Sequence, residues 1–217
     1  MKQRRSPDYS LYVITDRRLA RGRPLEALVA QAIAGGATIV QLRDKESNDR
    51  ILYEDARSLR KLTGERGIPL IINDRVDLAL AVNADGVHLG QEDMPPDVAR
   101  RLLGSGKILG LSTHSEDQAR AAARASPDYI AIGPIYATTT KENALPPLGT
   151  EIIAGLRPEL RVPIVAIGGI DKTNATLVGR AGADGIAVIS AVMGADDVMA
   201  AASDLRAAFR QGKEEAR

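Results

Sequence analysis

The 217-residue sequence has no cysteine and no tryptophan. That excludes a disulfide framework, a thiol nucleophile and a Cys-ligated metal, and it is compatible with a cytoplasmic setting. Aromatic residues make up only 3% of the chain, with a single Phe. Platforms for stacking nucleic-acid bases are therefore scarce, and the core is expected to consist of Val, Ile, Leu and Ala. Charge of one sign is also lacking: 29 Lys and Arg face 28 Asp and Glu, a formal charge of +1. No global field draws the protein to nucleic acid or a membrane, so an anion site must be local. Long apolar runs are missing too. Lys2, Arg4 and Arg5 resemble the start of a signal peptide, but the following run, Leu11 to Ile14, is too short and stops at Thr15-Asp16.

What the chain does have is 44% hydrophobic residues in short, β-branched runs that alternate with longer amphipathic stretches. This is the pattern of repeated βα units. The predicted strands are Leu11 to Thr15, Thr38 to Arg43, Leu70 to Asn73, Gly86 to Leu89, Ile108 to Ser112, Tyr129 to Ile132, Ile164 to Ile167 and Gly185 to Ile189. Helices are predicted at Leu25 to Ala34, Asn48 to Arg66, Pro96 to Leu103, Glu116 to Ala125 and Asp197 to Arg210. Asn48 or Asp49 can cap the second of these, and Gly35, Gly36, Gly64 and Gly67 are candidate left-handed terminators. The phrases Val82-Asn-Ala-Asp-Gly and Arg180-Ala-Gly-Ala-Asp-Gly read as turns between a helix and the next strand. Eight parallel units can close into one α/β TIM (β/α)8 barrel without exposed edges. An open doubly wound sheet is the alternative, but the first turn lacks its glycines. One domain over 1–217 is expected, with loose ends at 1–8 and 211–217.

In such a barrel the carboxyl ends of the strands converge on one face, so polar residues there are neighbours in space. Arg43 and Lys45 alternate with Leu42 and Asp44, which puts two cations on one side of an extended segment, as a diphosphate requires. A solvated charged run is the plainer reading of the same residues. Lys141 falls across the mouth. Asp74 and Asp93 end successive units and can share a hard cation such as Mg2+; the competing reading makes each the cap of the helix that follows, near Arg75 and near Pro95-Pro96. Gly168-Gly169 after the seventh strand and Ile189-Ser190 after the eighth stand where barrels bind phosphate through backbone amides, a tight turn being the alternative. Thr138 and Thr140 add hydroxyl donors. His88 and His114 lack a Ser or Cys nucleophile motif and read as structural hydrogen-bonding groups.

From Leu11 to Met193 the chain resembles the thiamin phosphate synthase family. The likeness rests on Tyr12-Val-Ile-Thr-Asp, Gln41-Leu-Arg-Asp-Lys, Asn73-Asp-Arg-Val-Asp-Leu-Ala, Ala84-Asp-Gly-Val-His-Leu-Gly-Gln-Glu-Asp-Met, Gly110-Leu-Ser-Thr-His-Ser, Asp128-Tyr-Ile-Ala-Ile-Gly-Pro-Ile-Tyr, Thr138-Thr-Thr-Lys and Ile167-Gly-Gly-Ile, in family order. Ala137 departs from the usual proline. The resemblance implies condensation of hydroxymethylpyrimidine diphosphate with a thiazole phosphate, giving thiamin phosphate and pyrophosphate through a pyrimidine carbocation. It places the pyrimidine diphosphate on Gln41, Arg43, Lys45, Asn73, Ser112 and Lys141. Magnesium falls on Asp74 and Asp93, and the thiazole phosphate on Thr138, Thr140, Gly169, Ile189 and Ser190. Arg43, Lys45, Ser112 and Lys141 would carry catalysis. Phosphorylated small molecules are the expected partners, not nucleic acid or membrane, and self-association is left open. A thiazole tautomerase of the same barrel would be expected to lack the paired aspartates, Lys45 and Lys141; a non-catalytic phosphate sensor is the other alternative.

Overall fold

A computed structural model describes residues 7–138 and 145–216. Eight strands pair in parallel in chain order: β1 (Leu11–Ile14), β2 (Ile39–Leu42), β3 (Leu70–Asn73), β4 (Gly86–Leu89), β5 (Ile108–Thr113), β6 (Tyr129–Ile132), β7 (Ile164–Ile167) and β8 (Gly185–Val188). The last strand pairs with the first, Leu11 opposite Ile186, and closes a TIM barrel. Both faces of every strand are covered, which is why the sequence shows continuous apolar runs and not alternation.

Outside this ring lie α1 (Arg17–Ala20), α2 (Leu25–Ala34), α3 (Asp49–Glu65), α4 (Val76–Ala81), α5 (Pro96–Leu103), α6 (Glu116–Arg124), α7 (Glu151–Leu156), α8 (Ala175–Arg180), α9 (Ser190–Met193) and α10 (Val198–Glu215). Their apolar faces meet the outward side chains of the strands, among them Leu11, Val13, Val40, Leu70, Val87 and Ile130, in one aliphatic layer. The barrel interior is a second cluster of different character. There Tyr9, Tyr12 and Tyr129 pack with Ile14, Ile39, Ile71, Ile108 and Val165. The core of Val, Ile, Leu and Ala expected from composition thus describes the outer layer, apart from Phe209 of α10 and Met193 of α9, and not the interior. Phenol rings fill the interior because they combine apolar bulk with a hydroxyl that finds partners inside the ring.

Five helices escape the sequence pattern: α1, α4, α7, α8 and α9 have six residues or fewer, too short to display a helical period. At the other end, α10 corrects the expectation of a loose tail after Arg210. It continues to Glu215 because Gly212 is buried against α8, where a methyl group would collide with Thr176 O, and Lys213 Nζ donates to Ala183 O at 2.8 Å. Residues 1–6 and 217 lie outside the described residues. Asn48, not Asp49, caps α3 by accepting from Ile51 N. Of the four candidate terminators only Gly36 and Gly67 have positive φ, 106° and 66°. Gly64 lies inside α3, and Gly35 is small so that α10 can approach.

The aspartates just before β4, β6 and β8 do more than sit in turns. Asp85 accepts from Leu70 N, Asp128 from Leu109 N and Asp184 from Ile164 N. An arginine grips each of these aspartates: Arg60 at 3.4 Å, Arg100 at 2.7 Å and Arg157 at 2.5 Å. This lower rim, at the amino ends of the strands, satisfies strand amides that the ladder leaves over.

Candidate functional site

At the opposite, carboxyl end the strands open into a cleft of about 870 Å³. Arg43, Lys45, Asn73, Asp74, Asp93 and Ser112 line it together, drawn from the ends of β2, β3, β4 and β5. A smaller cavity of about 190 Å³ adjoins it, lined by Thr138, Gly169, Ile189 and Ser190 among others. Ser112, His114 and Leu145 line both, so the two spaces share a wall. Gln41 lines neither. It is 2% exposed and sits one layer down inside the barrel. Thr140 and Lys141 lie outside the described residues.

Local chemistry holds the cationic segment after β2. The Thr15 hydroxyl accepts from Arg43 N at 3.0 Å and donates to Arg43 O at 3.3 Å. Asp44 serves the loop itself. It accepts from the amides of Glu46 and Ser47 at 2.9 and 3.0 Å and from Arg17 Nε at 2.7 Å. Burial opposes its ionisation, yet these donors hold the carboxyl well below the usual range. With Asp44 as the pin of the loop, the Arg43 guanidinium is left beside the cleft, 3.9 Å from Asp16.

Neither Asp74 nor Asp93 is a helix cap. Arg75 and Pro95 occupy the capping positions of α4 and α5, without a side-chain cap bond at either. Asp74 instead adopts a left-handed backbone, φ 61°, with its amide tied to His88 O at 2.8 Å. Such a conformation is costly for a residue other than glycine and clusters at functional sites. Asp93 reaches back to accept from Gly90 N at 2.6 Å. Burial, a hydrogen bond with Asp93 and the charge of Asp93 push the Asp74 carboxyl up to about 6, while Lys45 and Arg43 pull it down. Lys45 Nζ stands 3.6 Å from Asp74 Oδ2. Two carboxyl groups this close hold either a shared proton or a cation.

The paired glycines have a packing role. Gly168 and Gly169 have φ 99° and 62°, and a methyl group on Gly169 would lie 2.5 Å from Ala137 O. The loop after β6 lies against them, with Ile135 N and Tyr136 N donating to Ile167 O and Gly168 O at 2.9 and 3.0 Å. The histidines are hydrogen-bonded, as expected, but both also face the cleft. His88 meets Tyr129 Oη and Ser112 Oγ, each at 2.8 Å, and His114 Nδ1 meets Gly133 O at 2.6 Å. Asp16, Arg17 and Arg18 also line the cleft. Asp16 follows β1 and ends the Tyr12-Val-Ile-Thr-Asp motif, and Arg17 and Arg18 open α1; the motif marks the family likeness without giving these three a site role.

Comparison with known proteins shows the family. A family model described as thiamine monophosphate synthase matches residues 11–192. The thiamine-phosphate synthase of Chloroflexus aurantiacus is 54% identical over 209 residues, covering 96% of each chain. That of Syntrophomonas wolfei is 51% identical over 92% of this chain and 95% of its own. Among solved structures, thiamine phosphate pyrophosphorylase from Pyrococcus furiosus superposes with a TM-score of 0.86 at 42% identity, covering 95% of this chain and 98% of that one. The chain belongs to the thiamine monophosphate synthase family.

Proposed function

We propose that the large cleft binds the pyrimidine diphosphate, that the adjoining cavity binds the thiazole phosphate, and that the shared wall sets them in line for condensation to thiamin phosphate and pyrophosphate. The observation that supports this most is the convergence of Arg43, Lys45, Asn73, Asp74, Asp93 and Ser112 on one cleft next to a cavity lined by Thr138, Gly169, Ile189 and Ser190.

The Asp74 and Asp93 pair fits a divalent cation: both are hard oxygen donors, and burial together with the neighbouring Asp93 raises the Asp74 carboxyl, a cost that a positive charge between the two would relieve. Mg2+ held there would neutralise charge on diphosphate oxygens. The protein's own groups do the rest. Arg43 and Lys45 face the oxygens that gain charge as the C–O bond breaks, so they bind the separating state more strongly than the ground state. Asn73 and Ser112 orient the same group by hydrogen bonds. The thiazole nitrogen brings its own lone pair, so no general base is needed to make it a nucleophile. What the enzyme must supply is alignment, and the adjoining cavity supplies it by fixing the second phosphate. Lys141 and Thr140 take their roles from family likeness alone.

Purified protein given both phosphorylated substrates with magnesium should release thiamin phosphate and pyrophosphate in equal amounts. A tautomerase or a phosphate sensor would bind one substrate and form neither product.

A further inference from the structure

Inside the barrel, five side chains from five strands form an unbroken line of hydrogen bonds. Gln41 Nε2 donates to Tyr12 Oη at 2.7 Å, Tyr12 Oη meets Tyr129 Oη at 2.8 Å, Tyr129 Oη meets His88 Nδ1 at 2.8 Å, and His88 Nε2 meets Ser112 Oγ at 2.8 Å. The line runs from a side chain buried at 2% exposure to one on the wall of both cavities. Packing fixes its centre. The Tyr129 ring stacks on His88 with centroids 5.5 Å apart and meets the Tyr12 ring edge-on at 5.7 Å. Gly110 opens the space it occupies, since a methyl group there would collide with Tyr129 Cζ.

Counting hydrogens gives the line a direction. An amide nitrogen can only donate, so Tyr12 accepts from Gln41 and must pass its own hydrogen to Tyr129. Burial pushes both phenols above their ordinary range, so both keep that hydrogen. Tyr129 then donates to His88 Nδ1, which must accept, and the imidazole hydrogen lies on Nε2. Nε2–H donates to Ser112 Oγ and occupies one of its lone pairs. The serine hydrogen is thereby turned away from His88 and toward the cleft.

We propose that Tyr12, Tyr129 and His88 are positioning residues that lock the Ser112 hydroxyl as a donor to the diphosphate, with His88 held as the Nε2–H tautomer. The inference rests on the reading that Ser112 faces the diphosphate. An anion needs donors, and an unconstrained hydroxyl presents its lone pairs as readily as its hydrogen. The line removes that freedom before the substrate arrives, and each bond in it polarises the next. Were the Gln41 amide turned over, every hydrogen would reverse, His88 would carry its hydrogen on Nδ1, and Ser112 would offer an acceptor to an anion.

Nitrogen NMR on the full chain labelled with 15N-histidine reads the tautomer directly, with and without magnesium pyrophosphate. The sequence has two histidines, and a His114→Gln variant assigns them. His88 is expected as Nε2–H and His114 as Nδ1–H, because Gly133 O can only accept. His88 found as Nδ1–H overturns the proposal. In kinetics, Tyr129→Phe should lower kcat about tenfold, the worth of one hydrogen bond, with KM for the pyrimidine diphosphate within about twofold. The same change on a Ser112→Ala background should cost nothing further, since it acts through that hydroxyl. Full activity of Tyr129→Phe, or an equal loss without the serine, would also overturn it. Should Tyr129→Phe fail to fold, Tyr12→Phe breaks the line one bond earlier and carries the same expectations. If the wild type forms no thiamin phosphate at all, the functional reading fails, and the tautomer alone decides the line.

Discussion

The two ends of this barrel use the same residue types for opposite purposes. At the lower rim, Arg60, Arg100 and Arg157 each grip one aspartate, and each aspartate accepts a strand amide. Every one of these acids has a base and a backbone donor. At the mouth, Asp44 is matched in the same way by Arg17 and two backbone amides, but acid faces acid at Asp74 and Asp93, and the bases nearest the cleft centre stand looser, Arg43 at 3.9 Å from Asp16 and Lys45 at 3.6 Å from Asp74. Matched charges at the rim hold the chain together, and the unmatched acid pair at the mouth is the feature on which the proposed cation site rests. Asp74 shows the contrast in its backbone as well, since it keeps a left-handed conformation without serving as a cap.

The comparison can be broken at either end. The largest effect is expected from Asp93→Asn, which keeps an acceptor for Gly90 N but removes the charge. Turnover should fall by roughly 100-fold or more, the scale of losing a preorganised electrostatic contact, while the melting temperature stays level or rises. Steady-state kinetics beside a thermal melt checks both. Next in size is Asp184→Ala at the lower rim. It leaves Ile164 N and Arg157 Nη1 without their acceptor, a cost of about 1 to 3 kcal/mol, which lowers Tm by roughly 2 to 4 °C per kcal/mol in a chain of this size. Its kcat below the melt should match the wild type.

A smaller effect comes from pH. Asp74 is held at about 6, above the roughly 4 of an unfolded aspartate. A carboxyl raised by folding costs stability when ionised, so that cost is present above about pH 6 and fades as pH falls toward 4. Magnesium chloride should therefore raise Tm by a few degrees at pH 7.5 and by less at pH 5, where a proton already sits between the carboxyls. Equal shifts at the two pH values would contradict this. The smallest effect belongs to Arg101→Ala, whose pair with Asp97 is about two-thirds exposed on both sides; stability should change by no more than about 0.5 kcal/mol.

Much of this is legible in the sequence, for identifiable reasons. Strands buried on both faces write themselves as apolar runs, so the patterns at Leu70 to Asn73, Gly86 to Leu89, Tyr129 to Ile132 and Ile164 to Ile167 match the observed strands to the residue. The rule that polar groups at strand ends share one face gathers Arg43, Lys45, Asn73, Asp74, Asp93 and Ser112 correctly on one cleft. Hidden are features that depend on contacts distant in sequence. Tyr12 and Tyr129 look like ordinary core residues until the closed ring brings their hydroxyls to 2.8 Å. Gln41 has the periodicity of a strand residue, and only the register shows that it lies below the cleft. The lower-rim clamps pass for turns because Arg60 and Asp85 belong to different βα units, farther apart than any local pattern reaches.

The most direct test titrates magnesium pyrophosphate into the wild type and Asp74→Asn by calorimetry at pH 7.5, Asn being a residue that tolerates the left-handed backbone. Wild-type affinity should rise at least about tenfold when magnesium accompanies pyrophosphate, a coupling of about 1.4 kcal/mol, and the variant should lose that gain. Equal affinity with and without magnesium, or a variant that keeps the full gain, would contradict a mouth built around one cation and one diphosphate.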